Sequence, residues 1–135
     1  MKLKGQSSLE FLAYVSISAL ILAGMYGVMA SKQEQTFEYN QRENAQKIAE
    51  KTGFQVEMAL VQGEGYSRVF TLPAQIGGDY YNITLVNETT LIEWRDKTTL
   101  RSTLYSDKEI NLSTNETNVF KVMNKDGEVT VEAEQ

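Results

Sequence analysis

Three patterns of apolar and polar residues follow one another along the chain. From Phe11 to Ala30, "FLAYVSISALILAGMYGVMA" carries no charge and is apolar on every side. As a helix rising about 1.5 Å per residue it spans roughly 30 Å, the hydrocarbon thickness of a bilayer. After Ala30 the stretch becomes amphipathic. Ala45, Ile48, Ala49, Thr52, Val56, Ala59 and Leu60 recur at steps of three and four, which is the spacing of one helix face. No proline interrupts this region, and Gly53 is the sole glycine inside its second half. The spacing predicts one helix from about Ser7 to Leu60, roughly 80 Å long at 1.5 Å per residue. Residues 31–60 would pack on a head domain. Gly53 is a candidate kink, and "VQGEG" (Val61 to Gly65) is the stop signal.

From Tyr66 the period changes to two. Tyr81, Ile83 and Leu85 alternate with Asn82, Thr84 and Val86. Ile92 and Trp94 alternate with Glu93 and Arg95, and Ile110 and Leu112 flank Asn111. Phe120 and Val122 alternate with Val119 and Lys121, and Val129, Val131 and Ala133 close the series. Turn signals separate the runs: "IGGD", "VNET", "RDK", "SDK", "STNE" and "NKDG". The expected class is α+β. A long N-terminal helix packs on a C-terminal antiparallel meander of about six to seven strands, residues 66–135. Trp94 reads as core.

Composition narrows the chemistry. The 135 residues suit one modest domain plus an anchor. There is no cysteine and no histidine, so thiolate metal sites and the commonest neutral-pH acid–base group are missing. No metal or other cofactor is expected. A net charge of -5 without a basic run argues against nucleic acid. No carboxylate pair stands in a catalytic motif, "IGGD" lacks phosphate-loop spacing, and "NKDGE" is too short for an EF-hand loop. The expectation is a protein that is not an enzyme.

Lys2 and Lys4 precede the apolar span, placing the N-terminus inside and the remainder outside. A secretory signal peptide would carry an apolar region of only about 7 to 15 residues. A plain signal anchor fits the length better. Two details point further. Ala19, Ala23 and Gly27 stand four apart, small residues that let helix backbones approach closely, although lipid-facing residues without a partner give the same spacing. Glu10 sets a carboxylate at the mouth of the apolar run, where snorkelling to headgroups is its plain alternative.

Four Asn-x-Ser/Thr triplets begin at Asn82, Asn87, Asn111 and Asn115. With eight Asn and 21 Ser and Thr in 135 residues, chance gives roughly one such sequon. All four fall in the part expected outside the membrane. Asn82 and Asn111 have the parity opposite to their apolar neighbours, and Asn87 and Asn115 fall in turns. That pattern agrees with N-glycosylation.

"KGQSSLEF" resembles the class III signal peptide of archaeal type IV pilins. The matching features are a short basic leader, Gly5 at its end, Gln6 as first mature residue and Glu10 as the fifth. Gln6 stands where bacterial pilins more often have Phe. The resemblance implies that a prepilin peptidase cuts between Gly5 and Gln6, so that residues 1–5 are lost and the helix of residues 6–60 is kept. Cleavage would create an α-amino group of pKa roughly 8 on Gln6, and Glu10 would pair with it, either from a neighbouring subunit in a filament core, fixing register, or within one subunit while it waits in the membrane. The resemblance also implies an assembly ATPase and a membrane platform protein as partners, and supports glycans on the sequons.

The function expected is a structural subunit that polymerises through residues 11–30 into a surface adhesion filament. Before assembly it would sit in the cytoplasmic membrane. The alternatives are a minor pilin-like subunit for assembly or ligand capture, and an anchored surface domain that never polymerises.

Overall fold

A computed structural model describes residues 2–105 and 108–134, with side chains from Gly5 onward. The fold is α+β: one long helix, α1 (Lys2–Gln62), precedes seven strands arranged in two antiparallel sheets. The helix is longer than the expected Ser7 to Leu60, because it includes residues 2–6 and continues two residues past Leu60. The chain divides into two compact units, one ending at Glu38 and one beginning at Tyr39.

The first unit is helix alone. Every described side chain from Gly5 to Asn40 is exposed, the apolar run included. Residues 31–40 belong to this exposed part, including Phe37 and Tyr39. The amphipathic stripe therefore starts ten residues later than expected, at Gln41. The reason lies in the sequence: "SKQEQTFEYN" offers no apolar residues at three- and four-residue spacing until Ala45.

In the second unit the stripe is buried as its spacing predicts. Ala45, Ile48, Ala49, Thr52, Val56 and Ala59 are all buried, and Leu60 is partly so. Polar Gln41 and Gln55 also lie on this face. The helix continues without a break through Gly53, the candidate kink. A Cβ there would stand 3.6 and 3.7 Å from the Thr90 and Thr103 hydroxyls, an ordinary contact. The helix ends at "VQGEG" as anticipated. Gly63 adopts φ 78 and donates its N–H to the Ala59 carbonyl at 3.2 Å, a left-handed C-terminal cap.

The head is not one meander. Strands β2 (Tyr81–Val86), β3 (Thr89–Trp94) and β4 (Lys97–Ser102) do form one, but β5 (Ile110–Ser113) returns to pair with β2, giving the order β4-β3-β2-β5. A second sheet sets β6 (Val119–Lys125) between β1 (Ser67–Thr71) and β7 (Glu128–Ala133). Local alternation cannot encode the β1–β6 and β2–β5 partnerships, which join segments far apart in sequence. The parity itself holds. Tyr81, Ile83, Leu85, Ile92, Trp94, Leu112, Phe120, Val122, Val129 and Val131 join the helix stripe in one core. Ala133 is exposed. Phe70 and Phe120 face each other across β1 and β6 with ring centroids 6.0 Å apart.

The predicted turns close these strands. Asn87 and Glu88 adopt φ 48 and 59 between paired Val86 and Thr89. Asp126 and Gly127 adopt φ 55 and 82 between paired Lys125 and Glu128. Both have the signature of a type I′ turn, which matches the right-handed twist of the strands it joins.

Candidate functional site

The residues singled out at the N-terminus lie on the exposed helix. Gly5 is exposed, and a Cβ built on it would meet nothing within 4 Å. Gln6 and Glu10 are exposed and stand one turn apart, hence on the same side of the helix. Ala19, Ala23 and Gly27 are exposed along one flank of the span, and around Gly24 and Gly27 the space is open.

Leu20, at 73% exposure, and Tyr26, at 77%, are the most exposed of the large residues in this span, and Val15, at 47%, is the least. By length and composition this helix is able to cross a membrane, and its most apolar window is entirely unburied. Its polar side chains include one already satisfied at home. Ser16 donates its hydroxyl to the Leu12 carbonyl at 2.8 Å, a local bond that lets a hydroxyl enter apolar surroundings without an orphaned donor.

The four sequon asparagines all lie on the surface of the head. Asn82 is on β2 and Asn111 on β5, on the outer face opposite the core residues Ile83 and Leu112. Asn87 is the first residue of the β2–β3 turn, and Asn115 lies in the turn after β5. The structure brings Asn82 and Asn111 onto one sheet face and leaves the other two in loops.

Trp94 is core, 2% exposed. Its indole N–H donates to Gln41 Oε1 at 3.4 Å. That bond explains a buried glutamine which apolar periodicity alone did not mark; a polar partner for the one buried indole was the signal available. Burial pushes the Tyr81 phenol well above its ordinary pKa, and its hydroxyl donates to the Pro73 carbonyl at 2.5 Å. Asn124 is a second buried polar residue that alternation did not single out. Among the described residues no group of three or more carboxylates is placed to hold a metal ion.

Several polar contacts tie the second half of α1 to the head. Lys51 Nζ donates to the Thr71 carbonyl at 2.6 Å, Arg101 pairs with Glu50 at 2.5 Å, and Glu57 Oε1 accepts the Leu104 N–H at 3.0 Å. Surface pairs of this kind contribute at most about 1 kcal/mol each, so the apolar stripe carries the packing.

Comparison with protein families, with curated proteins and with solved structures gives no match to this chain.

Proposed function

We propose that this chain is a subunit of a type IV pilin-like surface filament, inserted in the cytoplasmic membrane until a prepilin peptidase cuts between Gly5 and Gln6. One observation carries the reading. The helix is apolar on every side from Phe11 to Ala30 and exposed from Gly5 to Asn40, while the rest of α1 and the sheets close one core. Such a surface calls for a covering that the chain does not supply, either lipid or the equivalent helices of other copies. The motif around Gly5, Gln6 and Glu10 favours both in succession: lipid first, then sister helices. In the filament the new Gln6 amine pairs with Glu10 of a neighbouring copy. An assembly ATPase and a membrane platform protein complete the machinery, and the sequons carry glycans outside the cell. The role is structural and not enzymatic.

The same bare helix favours one competing reading, an uncut anchor for a surface domain. N-terminal sequencing of the cellular protein separates the two. A start at Gln6, together with recovery of the chain in sheared surface filaments, is the expected result. A start at Met1 in a protein confined to the membrane would overturn the proposal. Recovery of processed chain as a trace component beside another major subunit would make it a minor pilin.

A further inference from the structure

The two strand sequons are paired with each other. Strands β2 and β5 run antiparallel in a register that sets Asn82 opposite Ser113, Ile83 opposite Leu112 and Thr84 opposite Asn111. Each asparagine thus lies across from the hydroxyl residue of the other triplet. Just beyond, the Thr114 N–H donates to the Tyr81 carbonyl at 3.1 Å. Antiparallel alternation then makes Ile83 and Leu112 a hydrogen-bonded pair. It puts the two Asn–hydroxyl pairs at the narrow positions, where opposed Cα atoms are only about 4.5 Å apart.

Groups that a glycosylating enzyme must read are engaged there. The Thr84 hydroxyl donates to Asn111 Oδ1 at 2.8 Å, and Asn111 Nδ2 donates to Glu109 Oε1 at 2.9 Å. Strand β2 is also paired on its other side, where Asn82 lies opposite Glu93. Freeing the Asn82 triplet therefore means opening the middle of a four-stranded sheet. In the turn sequons the asparagine stands outside the strands and the bonds fall on the residues after it: the Glu88 N–H donates to the Tyr105 carbonyl at 2.9 Å, the Glu88 carbonyl accepts the Thr103 N–H at 2.8 Å, and the Thr117 hydroxyl donates to the Glu134 carbonyl at 3.1 Å. Asn87 lies at φ 48 in a two-residue loop, and Asn115 is exposed beyond the end of β5.

The chemistry makes this difference matter. A glycosyl group passes from a lipid-linked phosphate donor to the asparagine Nδ2. The C–N bond forms, the bond from sugar carbon to phosphate oxygen breaks, the phosphate leaves with the electron pair, and Nδ2 gives up a proton. The enzyme has to hold the asparagine amide and the hydroxyl two residues on, which requires a short run of chain to leave its partners, and a turn or strand end opens more readily than the paired interior of a sheet.

We propose that the four sequons form two classes. Asn87 and Asn115 accept a glycan in the folded protein, whereas Asn82 and Asn111 accept one only before β2 and β5 pair. This rests on the reading of the chain as a glycoprotein. Modification at the strand sites then records a time before folding is complete, and modification at the turn sites does not.

The test uses the full chain, made without glycans and folded in detergent. It is incubated with an archaeal oligosaccharyltransferase and its lipid-linked oligosaccharide, and occupancy is read at each site by peptide mass spectrometry. Four synthetic peptides, one per sequon, are run in parallel. All four peptides are expected to be modified. In the folded chain Asn87 and Asn115 become occupied, and occupancy at Asn82 and Asn111 is at least about tenfold lower, as local opening of a paired strand demands. Equal occupancy at a strand site and a turn site overturns the proposal, and so does a folded chain modified at none of the four while its peptides are. Peptides that are all refused overturn the glycoprotein reading itself.

Discussion

Asn124 donates its side-chain N–H to the carbonyl of Ala59 at 2.8 Å, joining the end of β6 to the last turn of α1 across 65 residues of sequence. The same carbonyl accepts the Gly63 N–H, and the backbone of Asn124 exchanges bonds with Gly65 and Tyr66 at 3.0 and 2.9 Å. One asparagine thus fixes where the helix stops and where the first strand begins. Asn124→Ala leaves a helix-terminal carbonyl short of a buried donor, and the expected cost is about 1–3 kcal/mol. Urea unfolding of the full chain, followed by the fluorescence of Trp94, should show a lower midpoint.

Gly77 and Gln41 meet closely. Gly77 adopts φ 61, and a Cβ built on it runs into the Gln41 side-chain amide. That amide also accepts the Trp94 indole N–H. Gly77→Ala is expected to destabilise by about 1–3 kcal/mol through backbone strain and displacement of Gln41. Adding Gln41→Ala should recover the steric part and leave the strain. A double-mutant cycle measures this as a coupling of about 0.5 kcal/mol or more, and strict additivity would contradict the contact.

The Tyr81 phenol gives the head a dependence on alkaline pH. An ordinary phenol titrates near 10, and burial pushes this one upward in the folded state. As pH rises past about 10 the unfolded chain releases the proton first, and the folded chain still holds it. Stability is therefore undisturbed below that pH and declines above it. Tyr81→Phe should flatten the decline between about pH 9 and 11. At neutral pH it costs about 0.5–1.5 kcal/mol for the lost bond to Pro73. Unfolding curves of both proteins across that range provide the comparison.

Under the filament reading, Glu10→Leu removes one half of a buried charge pair and strands the Gln6 amine. Breaking such a pair costs about 3–5 kcal/mol, so filament yield in the sheared fraction should fall on the order of tenfold or more. Processing at Gly5 and the folding of the head should be unchanged. Normal filament yield from Glu10→Leu cells would rule the pairing out.

The elements of this fold were legible where one residue type repeats at one spacing. The stripe from Ala45 to Ala59 and the parity of Tyr81, Ile83 and Leu85 follow from local period alone, as do the turns at Asn87 and Asp126. What local period does not carry is partnership. Nothing within "SRVFT" says that Ser67–Thr71 pairs with β6, fifty residues away, and so two sheets read as one. Buried Gln41, Gln55 and Asn124 were hidden for a related reason. A polar residue on an apolar face is recognisable only once its partner is known, and for Asn124 and Gln41 that partner lies on another element. At the candidate sites, exposure of the four asparagines followed from parity and turn chemistry. The mutual pairing of two of them did not, because register between β2 and β5 is a property of the assembled sheet.

The exposure of Gly5 to Asn40 separates two quantities that most small proteins must adjust together. A change at Leu20 or Tyr26 alters how strongly the helix prefers its surroundings and removes no contact from the core of the head. A change at Ile83 or Val122 does the reverse. The two halves of this chain are therefore free to drift, or to be engineered, on separate schedules.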